Sequence, residues 1–324
     1  MAEITAGISK GTVARTKSGG FIYNITKYYP FYIMMIPGLL FFALFRYAPI
    51  YGLQIAFRDF YPWEGIWQSP WIGFDNFKMF FRSAYFGTLF VNTFTISIYK
   101  LVFGFPAPIL LALLLNEIYN AKLKRTVQTI TYFPHFLSWV LIYSLAFNML
   151  NKEFGLVNLL IKSFGFEPVP FLMSQQYFRG ILTVSTIWKE AGWGSIIYLA
   201  ALSGIDSELY DAANVDGANR WRQLIHITLP SLYPTMAIML LLRIGNILSQ
   251  DFEQVLMFMG GTQNEFLATV GETYETFVYK IISQGISSQG YGAAVGMFQS
   301  VFCLILVLIT NQIATKKLGY RGLF

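Results

Sequence analysis

Lys100, Lys189, Glu190 and Arg243 are ionisable side chains set inside long apolar stretches of a 324-residue chain. A charge at membrane depth is expensive, so such groups face an interior cavity or a specific partner. Arg243, Asn246 and Gln250 stand at i, i+3 and i+7 and fall on one helix face. That stripe reads equally as the lining of a passage and as polar packing between helices. Lys189 and Glu190 are adjacent, and each finding its own partner makes a structural anchor the better reading. Catalytic chemistry finds little support. His135 and His226 have no spacing that suggests a metal pair. Cys303 is the only cysteine, which excludes an intramolecular disulfide and a thiolate cluster. No Gly-x-x-x-x-Gly-Lys-Ser/Thr loop is present to cradle phosphates; "GISKGTVAR" lacks its ending.

The elements that carry these residues follow from composition. Hydrophobic residues make up 55% of the chain and charged ones 12%, against about 25% charged in soluble domains. A spanning helix needs about 20 mostly apolar residues, and six segments qualify: 28–49, 85–116, 129–149, 179–203, 232–258 and 290–314. Prolines 106, 108 and 134 predict kinks in the second and third. The expected fold class is an all-α polytopic membrane protein with six transmembrane helices. The N-terminus shows no apolar core and cleavage site of a removable signal peptide. The net charge of +6 is spread over the ends of apolar segments, which argues against a nucleic-acid partner. Lys122, Lys124, Arg125, Arg220, Arg222, Lys316 and Lys317 mark one side, together with the basic N-terminus, and the positive-inside rule makes it cytoplasmic. The opposite loops hold most of the acids, among them Asp59, Glu64, Glu153, Glu265 and Glu272. Both termini are thus expected in the cytoplasm.

One passage on that cytoplasmic side is unlike the rest: "DAANVDGANRWRQLIHITLP", residues 211–230. It predicts two short helices around a turn. Ser207 and the acids after it suit a helix start, and Gly217 suits the stop. Leu229-Pro230 is expected to end the second helix and turn the chain into the membrane. Taken alone, the passage is also consistent with an amphipathic connector on the membrane surface.

Its spacing says more. Asp211-Ala212-Ala213, three residues, Gly217, nine residues, Ile227, one residue and Leu229-Pro230 closely resemble the coupling signature of the membrane subunits of bacterial binding-protein-dependent ABC importers. Asp216 and Gly217 through Arg220 resemble the sugar-importer form, while Asp211 stands where the family usually has Glu. The resemblance extends to "WIGFDNFKMFF" (71–81), "IWKEAGWGSIIYLAALSGIDSELYDAA" (187–213), "ETFVYK" (275–280) and "GYGAAVGMFQSV" (290–301), which look like the branch importing oligosaccharides or polysaccharide fragments.

The resemblance implies a type I ABC importer permease fold. It implies a cytoplasmic tail 1–27, a transmembrane domain 28–314 with a coupling loop at 204–231, and a second tail 315–324. It implies a bacterial inner-membrane subunit partnered by a second permease, two ATPase subunits, a solute-binding protein and the lipid bilayer. ATP and Mg are expected on the ATPase subunits, with no cofactor on this chain. Ala212 and Ala213 permit close approach of a partner helix. Trp188 and Trp193 read either as platforms that stack on sugar rings or as interfacial anchors, the commoner role of such residues, and cationic Lys100 and Arg243 would suit an acidic, alginate-like oligosaccharide. The competing reading, an ion-coupled secondary transporter, predicts internal repeats and paired intramembrane carboxylates; no repeat is visible, and Glu190 is the only such acid found.

Overall fold

Apolar runs with few interior glycines make the chain helical, as the computed structural model shows over residues 21–245, 247–248, 252–262, 264–285 and 289–318. Asn246, Gln250 and the tails 1–20 and 319–324 lie outside these described residues. The chain divides into two compact units, Met1–Leu53 and Gln54–Phe324. The first holds α1 (Phe21–Phe42), a π-helical turn (Ala43–Tyr47) and α2 (Ala48–Gly52). Its side chains from 26 to 50 are all exposed. A helix apolar all round has its partner in lipid or in another helix.

The second unit opens with α3 (Gly65–Gln68) and α4 (Asp75–Arg82). Next, α5 (Ala84–Tyr99) passes through a π-helical turn (Lys100–Gly104) into α6 (Pro106–Asn116). Then come α7 (Ala121–Tyr132), a 3-10 turn (Phe133–Phe136), α8 (Trp139–Leu150), α9 (Leu156–Ser163) and α10 (Gln175–Ser203). The polar passage forms α11 (Ser207–Val215) and α12 (Arg220–Gln223), which continues through a π-helical turn (Leu224–Thr228) into α13 (Leu229–Gly245). The chain closes with α14 (Phe252–Met259), α15 (Glu265–Gly271), α16 (Tyr274–Gln284) and α17 (Gln289–Leu318).

Each of these π-helical turns ends two residues before a proline: Pro49, Pro106 and Pro230. Proline has no N–H, and its ring crowds the carbonyl four residues earlier. That carbonyl belongs to the middle residue of each turn, Phe45, Val102 and His226. Widening the turn moves it aside and lets the helix run on. The expectation that Leu229-Pro230 ends a helix is thereby corrected.

Four helices have the length and apolarity to cross a membrane: Thr26–Phe57, Ala84–Asn116, Arg220–Gly245 and Gln289–Ile313. A fifth arises if Ala121–Phe136 and Trp139–Leu150, bent by 106°, act as one span. Six spans are therefore not reached by length and composition among the described residues. The expected 179–203 segment is the single 29-residue helix α10, about 44 Å long at 1.5 Å per residue but too polar to stand with the others. The expected 232–258 segment is not one helix, since α13 stops at Gly245 and α14 starts at Phe252.

The packing explains the polarity of α10. It lies against α5, α6, α7, α13, α14 and α15, so much of its surface meets protein rather than lipid. Two of its buried hydroxyls bond to its own backbone: Thr183 to Arg179 O at 2.8 Å and Ser195 to Gly192 O at 2.6 Å. Three apolar clusters share the interior. One joins Ile96, Trp139, Leu182, Phe258 and Leu267, the next Phe80, Leu89, Tyr274 and Val295. The third joins Ile109 and Ala112 of α6, Tyr198 and Leu202 of α10, and Leu232 of α13.

Candidate functional site

The 204–231 passage folds as two helices held in a fixed relation. Asp206 caps α11, its carboxylate accepting from the Glu208 N–H at 3.0 Å. Ser207, the expected cap, is the first helical residue. Asp211 sits in the second turn, is exposed, and so takes no part in starting the helix. Gly217 adopts φ +71°, a conformation that a Cβ disfavours. Around it Ala218 N donates to Ala213 O at 2.9 Å and Gly217 N to Asn214 O at 3.1 Å, the paired bonds of a Schellman stop. Asn219 caps α12 through Arg222 N at 2.9 Å.

Side chains then lock the pair. Gln223 Nε2 donates to Asn214 Oδ1 at 2.6 Å and to Ala218 O at 3.1 Å, and the Tyr210 and Thr228 hydroxyls meet at 2.9 Å. Ala212, Asp216, Arg220 and Pro230 are exposed, whereas Ala213, Ile227 and Leu229 are half-buried. Val215 is 88% exposed and Trp221 67%, so the passage presents large apolar groups beside its charges. Such a surface, on a stiffened scaffold, is suited to docking rather than to chemistry.

The membrane-embedded candidates separate. Lys100 is corrected as a lining residue. It is 6% exposed, and its ammonium donates to Gln254 Oε1 at 2.7 Å. Gln254 in turn donates to Leu182 O at 2.7 Å and to the Ser185 and Thr186 hydroxyls at 2.8 and 3.0 Å. A charge this deep is held by polar partners inside the bundle and is not presented to a passage. Arg243 instead lines a cavity of about 270 Å³ with Phe105, Pro108, Gly194, Tyr198, Met239 and Leu242. Asn246 and Gln250, the other members of the expected stripe, lie outside the described residues.

Trp188 and Trp193 are each about half exposed. Trp193 stacks on His135, rings parallel within 1° and centroids 4.6 Å apart. His135 Nδ1 lies 3.2 Å from Glu190 Oε2, although their angle is poor for a hydrogen bond. Lys189 donates to His135 O at 2.8 Å and to Leu137 O. It thereby satisfies carbonyls released at the 106° bend between α7 and α8. The structural-anchor reading of the Lys189–Glu190 pair holds.

Two polar groups escaped the sequence reading. Asn92, 2% exposed, donates to Ala268 O, Thr269 O and Glu272 O at 3.1–3.3 Å, and accepts from Arg179 Nη2 at 2.8 Å. Together they satisfy the last carbonyls of α15. Burial pushes the neighbouring Glu272 carboxyl up, and the Lys280 ammonium at 3.4 Å opposes that shift. A lone Asn in an apolar helix was the available signal for Asn92. Gln254 had none, since its partners come from the distant Lys100 turn and from α10.

Comparison with known proteins fits this geometry. Residues 104–318 match the family model described as "Binding-protein-dependent transport system inner membrane component". The chain is 45% identical to Protein LplB of Bacillus subtilis (strain 168) over 294 residues, 90% of each chain. It is 44% identical to the polygalacturonan/rhamnogalacturonan transport system permease protein YteP of the same organism, over 90% of this chain and 89% of that one. A crystal structure of a bacterial ABC transporter involved in the import of the acidic polysaccharide alginate superposes with TM-score 0.82 at 38% identity, covering 91% of this chain and 98% of that chain. A second, of a bacterial alginate ABC transporter in complex with alginate pentasaccharide-bound periplasmic protein, gives TM-score 0.83 at 37% identity over 94% and 99%. The chain belongs to the family of inner membrane components of binding-protein-dependent transport systems.

Proposed function

We propose that this chain forms half of the passage of an ATP-driven, binding-protein-dependent oligosaccharide importer and couples to separate ATPase subunits through residues 211–230. The observation that carries the reading is the passage itself. It is a two-helix unit, stopped by Gly217 at φ +71° and continuous with the membrane helix α13. A second permease completes the passage, a solute-binding protein delivers the sugar, and ATP and Mg reside on the ATPase subunits. Basic residues at 122–125, 220–222 and 316 support both termini lying in the cytoplasm of an inner-membrane protein. Co-purification of the ATPase subunits with this permease, with 211–230 intact or replaced by a flexible linker, tests the reading. Loss of the ATPase with the linker is expected, and retained association at normal expression refutes it.

The substrate reading is an acidic oligosaccharide. It is supported by the Arg243 cavity and by relatives whose names carry polygalacturonan and alginate. A hydrogen bond from a charged donor contributes about 1.5–3 kcal/mol. Arg243→Ala should therefore raise KM for a uronate oligosaccharide by about 10- to 100-fold, with a smaller change for a neutral one. Unchanged uronate uptake would remove Arg243 from the passage.

A further inference from the structure

We propose that Glu117 and Tyr119, just beyond the end of α6, form with Arg220 a latch that delivers movement of the 211–230 passage to α6 as well as to α13. The proposal rests on the coupling role argued above and adds a second route out of the same surface. Arg220 Nη1 lies 2.9 Å from Glu117 Oε2, and Nη2 donates to the Tyr119 hydroxyl. The guanidinium carbon also stands over the Tyr119 ring, 5.1 Å from its centre. One planar group thus makes an ion pair, a hydrogen bond and a ring contact, which arginine's fork allows and a lysine ammonium does not.

The placement of the three residues gives the contact its meaning. Glu117 caps the C-terminal end of α6. Arg220 is the first residue of α12, whose helix runs on as Arg220–Gly245. The Gln223–Asn214 bond and the Gly217 stop hold α11 and α12 together, so a displacement of α11 is carried to Arg220. Both α6 and α13 pack on α10, in the cluster of Ile109, Ala112, Tyr198, Leu202 and Leu232. With the latch closed, one push on the passage moves two helices that pack on α10. With it open, α13 moves and α6 is free to lag.

The test uses the assembled importer in vesicles, with ATP hydrolysed per oligosaccharide imported as the readout. Uronate and neutral oligosaccharide digests serve as probes in separate assays. Glu117→Ala and Arg220→Ala should each raise that ratio by up to about fivefold, the ceiling for an exposed ion pair, and Glu117→Ala, which lies outside the 211–230 passage, should leave subunit co-purification unchanged. The double variant should be no worse than the poorer single one, because both remove the same contact. If an alanine variant fails to assemble, Glu117→Gln and Arg220→Lys read the same ratio through milder losses. An unchanged ratio in both single variants, or losses that add in the double, overturns the latch. Absence of ATP-driven uptake by the unaltered complex sinks the importer reading, and the latch with it.

Discussion

Gly217→Pro should leave the chain inserted and expressed while lowering ATP-driven uptake by more than about tenfold, the effect of displacing a docking surface. Gly217 holds φ +71°, and proline is locked near −65°. The substitution also deletes the N–H that Gly217 donates to Asn214 O. Both changes destroy the stop between α11 and α12, so Asp211 and Trp221 no longer keep their relation. The membrane helices are not involved, because a Cβ at Gly217 would meet nothing within 4 Å. Gly217→Asn is the graded control, since Asn tolerates the left-handed region better than other non-glycine residues. Membrane abundance, ATPase co-purification and uptake are measured together; full uptake by the proline variant at normal abundance refutes a coupling role for this turn.

A second large effect is expected where α10 crosses α7. A Cβ at Gly192 would lie 1.9 Å from Thr131 O and 2.4 Å from Thr131 C, both backbone atoms. No rotamer change relieves such a clash; the helices must separate. Overpacking of a well-packed site costs about 1–3 kcal/mol and at times more, and contact with backbone places Gly192→Ala at the upper end. The bend held by Lys189 lies at the same crossing, so the damage should spread to His135 and Trp193. Gly180→Ala, on the same helix with nothing within 4 Å, should be neutral or slightly stabilising. Thermal unfolding in detergent compares the two, and equal midpoints would refute the close-crossing account.

The polar passage was legible because local rules govern it. Its turn needs a residue free to take positive φ, and Gly217 stands where α11 stops. The start of α11 was read one residue late, since Asp206 and Ser207 are both good caps and only the backbone chooses between them. Segment positions were legible from apolarity, but their continuity was not. Proline marks trouble in a helix without saying whether the helix breaks, as near Pro134, or widens and continues, as before Pro106 and Pro230. The burial of Lys100 was illegible for a different reason. Its partner Gln254 is 154 residues away, and no periodicity reports a contact of that range. The packing around α10 was illegible for the same reason, since being surrounded by protein is a property of its neighbours.

The wide turn at 224–228 also sets a rotational phase. Arg220 and Arg243 are 23 residues apart, so an uninterrupted α-helix would place them about 140° apart around its axis. One extra residue in the wide turn takes back about 100°, leaving the two arginines about 40° apart. The residue that latches the coupling surface and the residue that lines the Arg243 cavity are thus brought to nearly the same side of one helix. Pro230, by keeping that turn wide, determines which side of the rod the cavity residue occupies when the surface is pushed.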